Sequence, residues 1–190
     1  NLQKLEYLVL KSKYLTEFPL AVVECTTLTE LHITAPITKV PESLANLQKL
    51  ERLFIRDKYS LSAFPPAITE LKKLRDLEID GTFPEIPKTI TDLKNLQKIE
   101  LKSKQMATFP SQLIQMERLN KITISAPITK IPELLKTGDG LELYLFDTKI
   151  KEIENSILSR LLFLKIKGHQ ISAARVKEIQ ILMGRKVELD

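Results

Sequence analysis

Along this chain a bulky apolar residue followed by proline recurs at nearly constant spacing. The pairs are Phe18-Pro19, Val40-Pro41, Phe64-Pro65, Ile86-Pro87, Phe109-Pro110 and Ile131-Pro132, and a degenerate Ile153-Glu154 follows. Successive prolines step by 22, 24, 22, 23 and 22 residues, and Glu154 lies another 22 on. Twelve residues after each of the first five prolines stands the first member of an apolar-x-apolar pair. These pairs are Leu31/Ile33, Leu53/Ile55, Leu77/Ile79, Ile99/Leu101 and Ile122/Ile124, preceded by Leu8/Leu10. So many positions in one register mark an internal repeat, and a repeat of this length implies a solenoid.

The period within each unit predicts its elements. Alternation at period 2 sends both apolar side chains of a pair into a core and the residue between them outward, as in a strand. After the proline, apolar residues recur three apart, as in Leu44, Leu47 and Leu50, which suits a helical turn on the same core. Proline fits the start of that turn because the donor it lacks would be unpaired there. A unit of strand, loop and helical turn is too small to bury its own face. Stacked units build one parallel sheet on the inside of a curve, with the turns outside.

The pattern Leu47-Gln-Lys-Leu50-Glu-Arg-Leu53-Phe-Ile55 resembles the leucine-rich-repeat family, and the short, proline-marked period resembles its bacterial and plant intracellular types. The resemblance covers nearly the whole chain. It implies an α/β fold: a right-handed, horseshoe-shaped solenoid with a parallel β-sheet on the concave face and short helical turns on the convex face. About eight repeats are expected over residues 1–171. One departure stands out. The family places Asn three residues after the second strand apolar, whereas this chain has Lys13, Pro36, Lys58, Thr82, Lys104, Pro127, Lys149 and His169. The loop backbone must therefore find other partners or water.

Toward the end the period slips. The spacing from Pro132 puts Tyr144 and Phe146 in the core-facing pair and turns Leu143 and Leu145 outward; a one-residue slip would exchange the two sets. Leu164/Ile166 form the next strand, two residues early. Ser172 is placed to cap a helix over Ala173 to Met183, Gly184 to stop it, and Val187/Leu189 to add a strand. Residues 172–190 are thus expected to form a C-terminal capping helix and strand. Asn1 opens inside a patterned segment without a matching cap, so an N-terminal cap is expected upstream.

A shift of 91 residues aligns Leu10–Glu42 with Leu101–Glu133, and 15 of 33 positions are identical. Lys11-Ser12-Lys13 matches Lys102-Ser103-Lys104, and Ala35–Lys39 matches Ala126–Lys130. A four-repeat block has been duplicated. The outward positions Tyr7, Val9, Glu30, His32, Arg52 and Phe54 share no identity with Lys98, Glu100, Lys121, Thr123, Leu143 and Leu145, as expected either if each half meets a different part of a partner or if solvent positions drift.

Those outward positions define the candidate site. With strands about 4.8 Å apart, about nine of them make an arc of roughly 40 Å. Its centre is charged: Arg52 and Arg56, then Asp76, Glu78 and Asp80, then Lys98 and Glu100 with Lys102. The flanking cations favour cross-strand charge pairing over a metal at the carboxylates. Apolar patches flank the band, with Tyr7, Val9 and Phe54 around His32 on one side and Leu143, Leu145 and Phe163 beside Lys165 on the other. Exposed aromatic clusters mark interaction sites.

No catalytic constellation emerges. His32 and His169 are separated by roughly 29 Å of strand spacings. Cys25, the single cysteine, occupies a core position and excludes an internal disulfide. Gly138-Asp139-Gly140 reads as a turn. No metal and no cofactor is expected. The net charge of +5, from 29 Lys plus Arg against 24 Asp plus Glu, is modest, and no apolar run is long enough for a transmembrane helix. The expected function is non-catalytic: binding of a protein partner on the concave face, as the recognition region of a bacterial secreted or surface protein, which the resemblance implies. The alternatives are binding of an anionic polymer (glycan or nucleic acid) and substrate recognition within a larger enzyme. Membrane insertion and specific nucleic-acid binding are not expected; self-association stays open.

Overall fold

The computed structural model describes residues 4–56, 60–133 and 140–190; Asn1, Lys58 and the expected turn at Gly138-Asp139 lie outside them. Among the described residues one sheet of nine parallel strands runs in strict chain order. The strands are β1 Tyr7–Lys11, β2 Glu30–Thr34, β3 Arg52–Arg56, β4 Asp76–Gly81, β5 Lys98–Ser103, β6 Lys121–Ser125, β7 Leu141–Phe146, β8 Leu161–Ile166 and β9 Val187–Leu189. The repeat register is the pairing register: Leu8, Leu31, Leu53, Leu77, Ile99 and Ile122 are successive cross-strand partners, as are Leu10, Ile33, Ile55, Ile79, Leu101 and Ile124.

The turns on the other side are 3-10 helices at Leu20–Glu24, Glu42–Asn46, Pro66–Glu70, Lys88–Asp92 and Ser111–Gln115. The three-residue apolar spacing explains why. A 3-10 helix has three residues per turn, so positions three apart eclipse one another and face one core. Each turn is continued by a relay of bonds. Leu44 N–H donates to the Pro41 carbonyl at 3.1 Å, Leu47 to Leu44 at 3.1 Å, and Leu50 to Leu47 at 2.9 Å. The same relay starts at Pro19, Pro65, Pro87 and Pro110. Leu44, Leu47 and Leu50 are fully buried. Turns are wider than strands, so stacking them curves the sheet with its strands on the inner, concave side.

Without an asparagine ladder, the loops after the strands are held by backbone bonds to the neighbouring repeat. Ser12 N–H donates to Thr34 O, Ala35 to Arg56 O, Ala126 to Phe146 O and Lys167 to Leu145 O, all at 2.8–3.1 Å. Serine supplies part of what asparagine would. Ser12 Oγ accepts from the amides of Tyr14 and Leu15, and buried Ser103 Oγ donates to the Phe83 carbonyl at 2.6 Å.

β7 departs from the expected register. Ile122 pairs with Leu143 and Ile124 with Leu145, so the step between β6 and β7 is one residue short of the proline-based spacing. Leu143 and Leu145 are fully buried, and the outward positions are Glu142, Tyr144 and Phe146. The residue is regained after the strand, where Asp147 takes a left-handed conformation (φ 56°) and Ser125 Oγ donates to its carboxylate at 2.5 Å. The early β8 leaves an irregularity where it pairs with β7 at Leu141/Glu142, beside half-exposed Leu162.

The chain then forms α1 (Asn155–Leu158) and α2 (Ala173–Met183). Ser172 Oγ accepts from Arg175 N–H at the start of α2, and Gly184, at φ 59°, ends it. α2 packs on β9 and α1, burying Ile179 and Met183.

Gly81 sits where the chain has no room for a side chain. A Cβ there would lie 2.6 Å from the Leu61 carbonyl oxygen and 2.7 Å from the ring of Phe83, which packs edge-on against Phe64. Gly81→Ala is expected to destabilise the chain by about 1–3 kcal/mol. Urea unfolding followed by circular dichroism measures this, and an unchanged midpoint would show that the loop yields freely.

Candidate functional site

At its N-terminal end the concave face carries a stacked row. Tyr7 meets His32 edge-on at 5.6 Å between ring centroids, His32 lies 4.3 Å from Phe54, and the Arg56 guanidinium sits 5.4 Å from the Phe54 ring. Val9 is the cross-strand partner of His32. Tyr7 is 55% exposed and Val9 36%, so the row offers apolar surface to solvent. Glu30 fixes its geometry. His32 Nε2 lies 2.5 Å from one carboxylate oxygen and Arg52 Nε donates to the other at 2.6 Å. Burial pushes the Glu30 carboxyl up, but the hydrogen bonds from His32 and Arg52 outweigh it and hold it below the usual carboxylate range. A carboxylate only accepts, so His32 presents its Nε2–H to it.

The central band is closed upon itself. Glu78 is buried, and Arg56 grips it with two bonds of 2.7 and 2.5 Å. Lys102 Nζ lies 2.9 Å from Glu78, 2.9 Å from Glu100 and 3.6 Å from Asp80. Asp76 is flanked by Arg52 and Lys98 across the strands. Burial pushes the Glu78 carboxyl up, yet the bonds from Arg56 and Lys102 hold it below its ordinary value. Burial pulls the Lys102 ammonium down; its hydrogen bonds to Glu100 and Glu78 overcome that and hold it above the ordinary lysine range. Among the described residues no group of three His, Cys, Asp or Glu could hold a metal ion.

At the C-terminal end the patch forms from other residues than the repeat spacing indicated. Leu143 and Leu145 belong to the core, and Tyr144 and Phe146 take the surface. Tyr144 lies 5.4 Å from Phe163, Lys121 Nζ stands 4.5 Å over the Tyr144 ring, and the Tyr144 hydroxyl donates to Glu142 at 3.2 Å. Lys165 is bound by Glu188, and Lys167 lies 3.3 Å from Asp190. The three leucines Leu141, Leu143 and Leu145 at period 2 are the signal that assigns this strand. His32 stands in the N-terminal row, whereas His169 accepts the Ile171 amide in the loop after β8. Cys25 is buried, with its Sγ 3.5 Å from the Ala21 carbonyl.

One feature escaped the pattern of outward strand positions. Past the C-terminal ends of β1–β3 the face opens into a groove of about 580 Å³ between Lys11–Lys13 and Thr34–Pro36, closed by Arg56. The duplicated Lys-Ser-Lys and Ala-Pro segments are its trace in the sequence.

A nine-stranded parallel sheet in chain order, backed by 3-10 turns at a 22–24-residue step, is the leucine-rich-repeat solenoid. Solved structures agree. The leucine-rich-repeat domain of the type III effector XopL superposes at TM-score 0.75 and 18% identity, over 91% of this chain and 68% of that one. Internalin C2 from Listeria monocytogenes gives 0.73 and 19%, over 100% and 82%. A Leptospira interrogans leucine-rich-repeat protein gives 0.55 and 20% over 96% of this chain, which spans 59% of that protein's length. At these identities the likeness is one of fold. No family model and no curated protein matches the sequence.

The depressed Glu78 carboxyl makes a signed prediction. A carboxyl held below its usual value of about 4.5 stabilises the fold fully above that pH and loses the contribution as pH falls through its depressed value. Glu78→Gln is expected to lower stability at neutral pH by about 1–3 kcal/mol, toward the low end because the cationic heads reach water. Thermal melts should show a constant gap between wild type and variant from neutral pH to about pH 5, shrinking below it. A gap unchanged down to about pH 3 would show that the charge contributes nothing.

Proposed function

We propose that this chain is a non-catalytic recognition solenoid that binds a protein partner on its concave face, as part of a bacterial secreted or surface protein, with residues 172–190 closing its C-terminal end. The observation that carries this reading is the pair of partly exposed aromatic clusters, Tyr7–His32–Phe54 with Val9 and Tyr144–Phe163 with Phe146, at opposite ends of one rigid sheet. Aromatic side chains deliver large contact area with few rotamers to freeze, which is why they dominate binding energy at interfaces. The fold neighbours are consistent with it. XopL is a type III effector, and the ectodomain of the Arabidopsis receptor kinase HAESA, similar at TM-score 0.52, was solved in complex with a peptide hormone.

Binding of an anionic polymer is less well supported. Arg52, Arg56, Lys102, Lys121, Lys165 and Lys167 each have a carboxylate within 4 Å, so they form no continuous basic track. Among the described residues no helix is long and apolar enough to cross a membrane.

A photo-crosslinking residue placed at position 54 or 163 is expected to capture the partner. The same residue at Leu20, exposed on the convex side, is expected not to. Phe54→Glu should weaken capture about tenfold or more. Equal crosslinking from position 20, with Phe54→Glu neutral, would move the binding site off the concave face.

A further inference from the structure

We infer that the groove at the rim of β1–β3 docks an extended acidic segment of the partner, with an apolar side chain against Pro36 and an aspartate or glutamate side chain between Lys11 and Lys13. This rests on the concave-face reading and gives the partner a chemistry.

Charge complementarity is the first argument. Arg52, Arg56, Lys102, Lys121 and Lys165 on the outward face each sit beside a carboxylate, and Lys98 stands across from Asp76. Lys11 and Lys13 differ. Both are exposed, and among the described residues neither has an ion-pair partner. They stand beside walls built mainly of carbon, so two ammonium groups with no ion-pair partner among the described residues border an apolar seat. Lys11 also follows Val9 on the outward side of β1, which makes the groove continuous with the Tyr7–His32–Phe54 row. Tyr14, 90% exposed, adds aromatic surface next to Lys13.

The internal duplication supplies the second argument. The same residues recur as Lys102-Ser103-Lys104 and Ala126-Pro127, where Lys102 is held among Glu78, Glu100 and Asp80. The serine has a structural role in both copies, since Ser12 Oγ accepts the Tyr14 amide at 3.1 Å and Ser103 Oγ the Gln105 amide at 3.3 Å. Among the described residues the lysine charge has an ion-pair partner only in the second copy, and in the first we assign it to the ligand.

A fluorescein-labelled pentapeptide of alternating Glu and Phe, acetylated and amidated, tests this, alongside versions with Gln or Lys in place of Glu. A further Gln peptide carries a free C-terminal carboxylate. The Glu peptide is expected to bind best, more tightly at low salt, and to shift the amide resonances of Ser12, Lys13 and Ala35. The double substitution Lys11→Gln, Lys13→Gln should raise its Kd about fivefold to tenfold, while Lys104→Gln, the matching position in the second copy, leaves it unchanged. Equal binding of the Gln and Glu peptides, indifference to the double substitution, or no binding by any peptide would overturn the proposal. So would a preference for the Gln peptide with the free carboxylate, which would assign the groove to a chain terminus. Equal binding of Gln and Glu peptides that is lost in Phe54→Glu would leave the concave-face reading standing and remove only the acidic preference.

Discussion

Everything in this molecule depends on each repeat being unable to bury its own apolar pair. A strand of five or six residues and one 3-10 turn enclose almost nothing, so each Leu-x-Ile pair becomes interior only when the next strand lies alongside in the same register. The requirement propagates. It sets the parallel order of the strands, the constant repeat step and the three-residue relay of hydrogen bonds from proline to strand. It also leaves the outward positions of the sheet outside the apolar core, and those positions carry side chains that vary from repeat to repeat.

Parallel in-register stacking places outward charges about 4.8 Å apart along each row, where like charges repel. From β2 to β5 the row alternates, with Glu30, Arg52, Asp76 and Lys98 as successive partners; Lys121 beside Lys98 is met by Glu142, and Glu78 with Glu100 is bridged by Lys102. The charges in the middle of the face are therefore largely taken up by one another. Aromatic rings stand toward the two ends of the face. There the ion pairs serve as props: Glu30 holds His32 upright between Tyr7 and Phe54.

The repeat fold was legible because its signal is redundant. A dozen independent apolar positions and six prolines agree, and an error at one is outvoted by the rest. The same redundancy exposed the N-terminal aromatic row, since Tyr7, His32 and Phe54 lie in repeats of regular length. It also misplaced β7. Extrapolating a period carries any length change forward, and one residue reverses every side chain of a strand. Local alternation at Leu141, Leu143 and Leu145 was the better guide there, because burial acts on the strand itself and not on its distance from Pro132. The ends of α2 were readable from Ser172 and Gly184, whose chemistry is local. The groove was not, since it is made by two loops side by side, and loop geometry follows from hydrogen bonds such as Ser12 to Thr34 that no periodicity encodes.

The one-residue shortening before β7 has a further consequence. A duplicated scaffold is a lattice with two equivalent sites, and a ligand that fits one could settle four repeats away on the other. Here the translation fails. Moving β1–β3 onto β5–β7 meets a captive lysine at Lys102, a phenylalanine at Phe146 where Arg56 stood, and an irregular junction with β8. The broken period makes the solenoid polar in the sense of a ruler with a marked zero: a partner that grips it is told where to start.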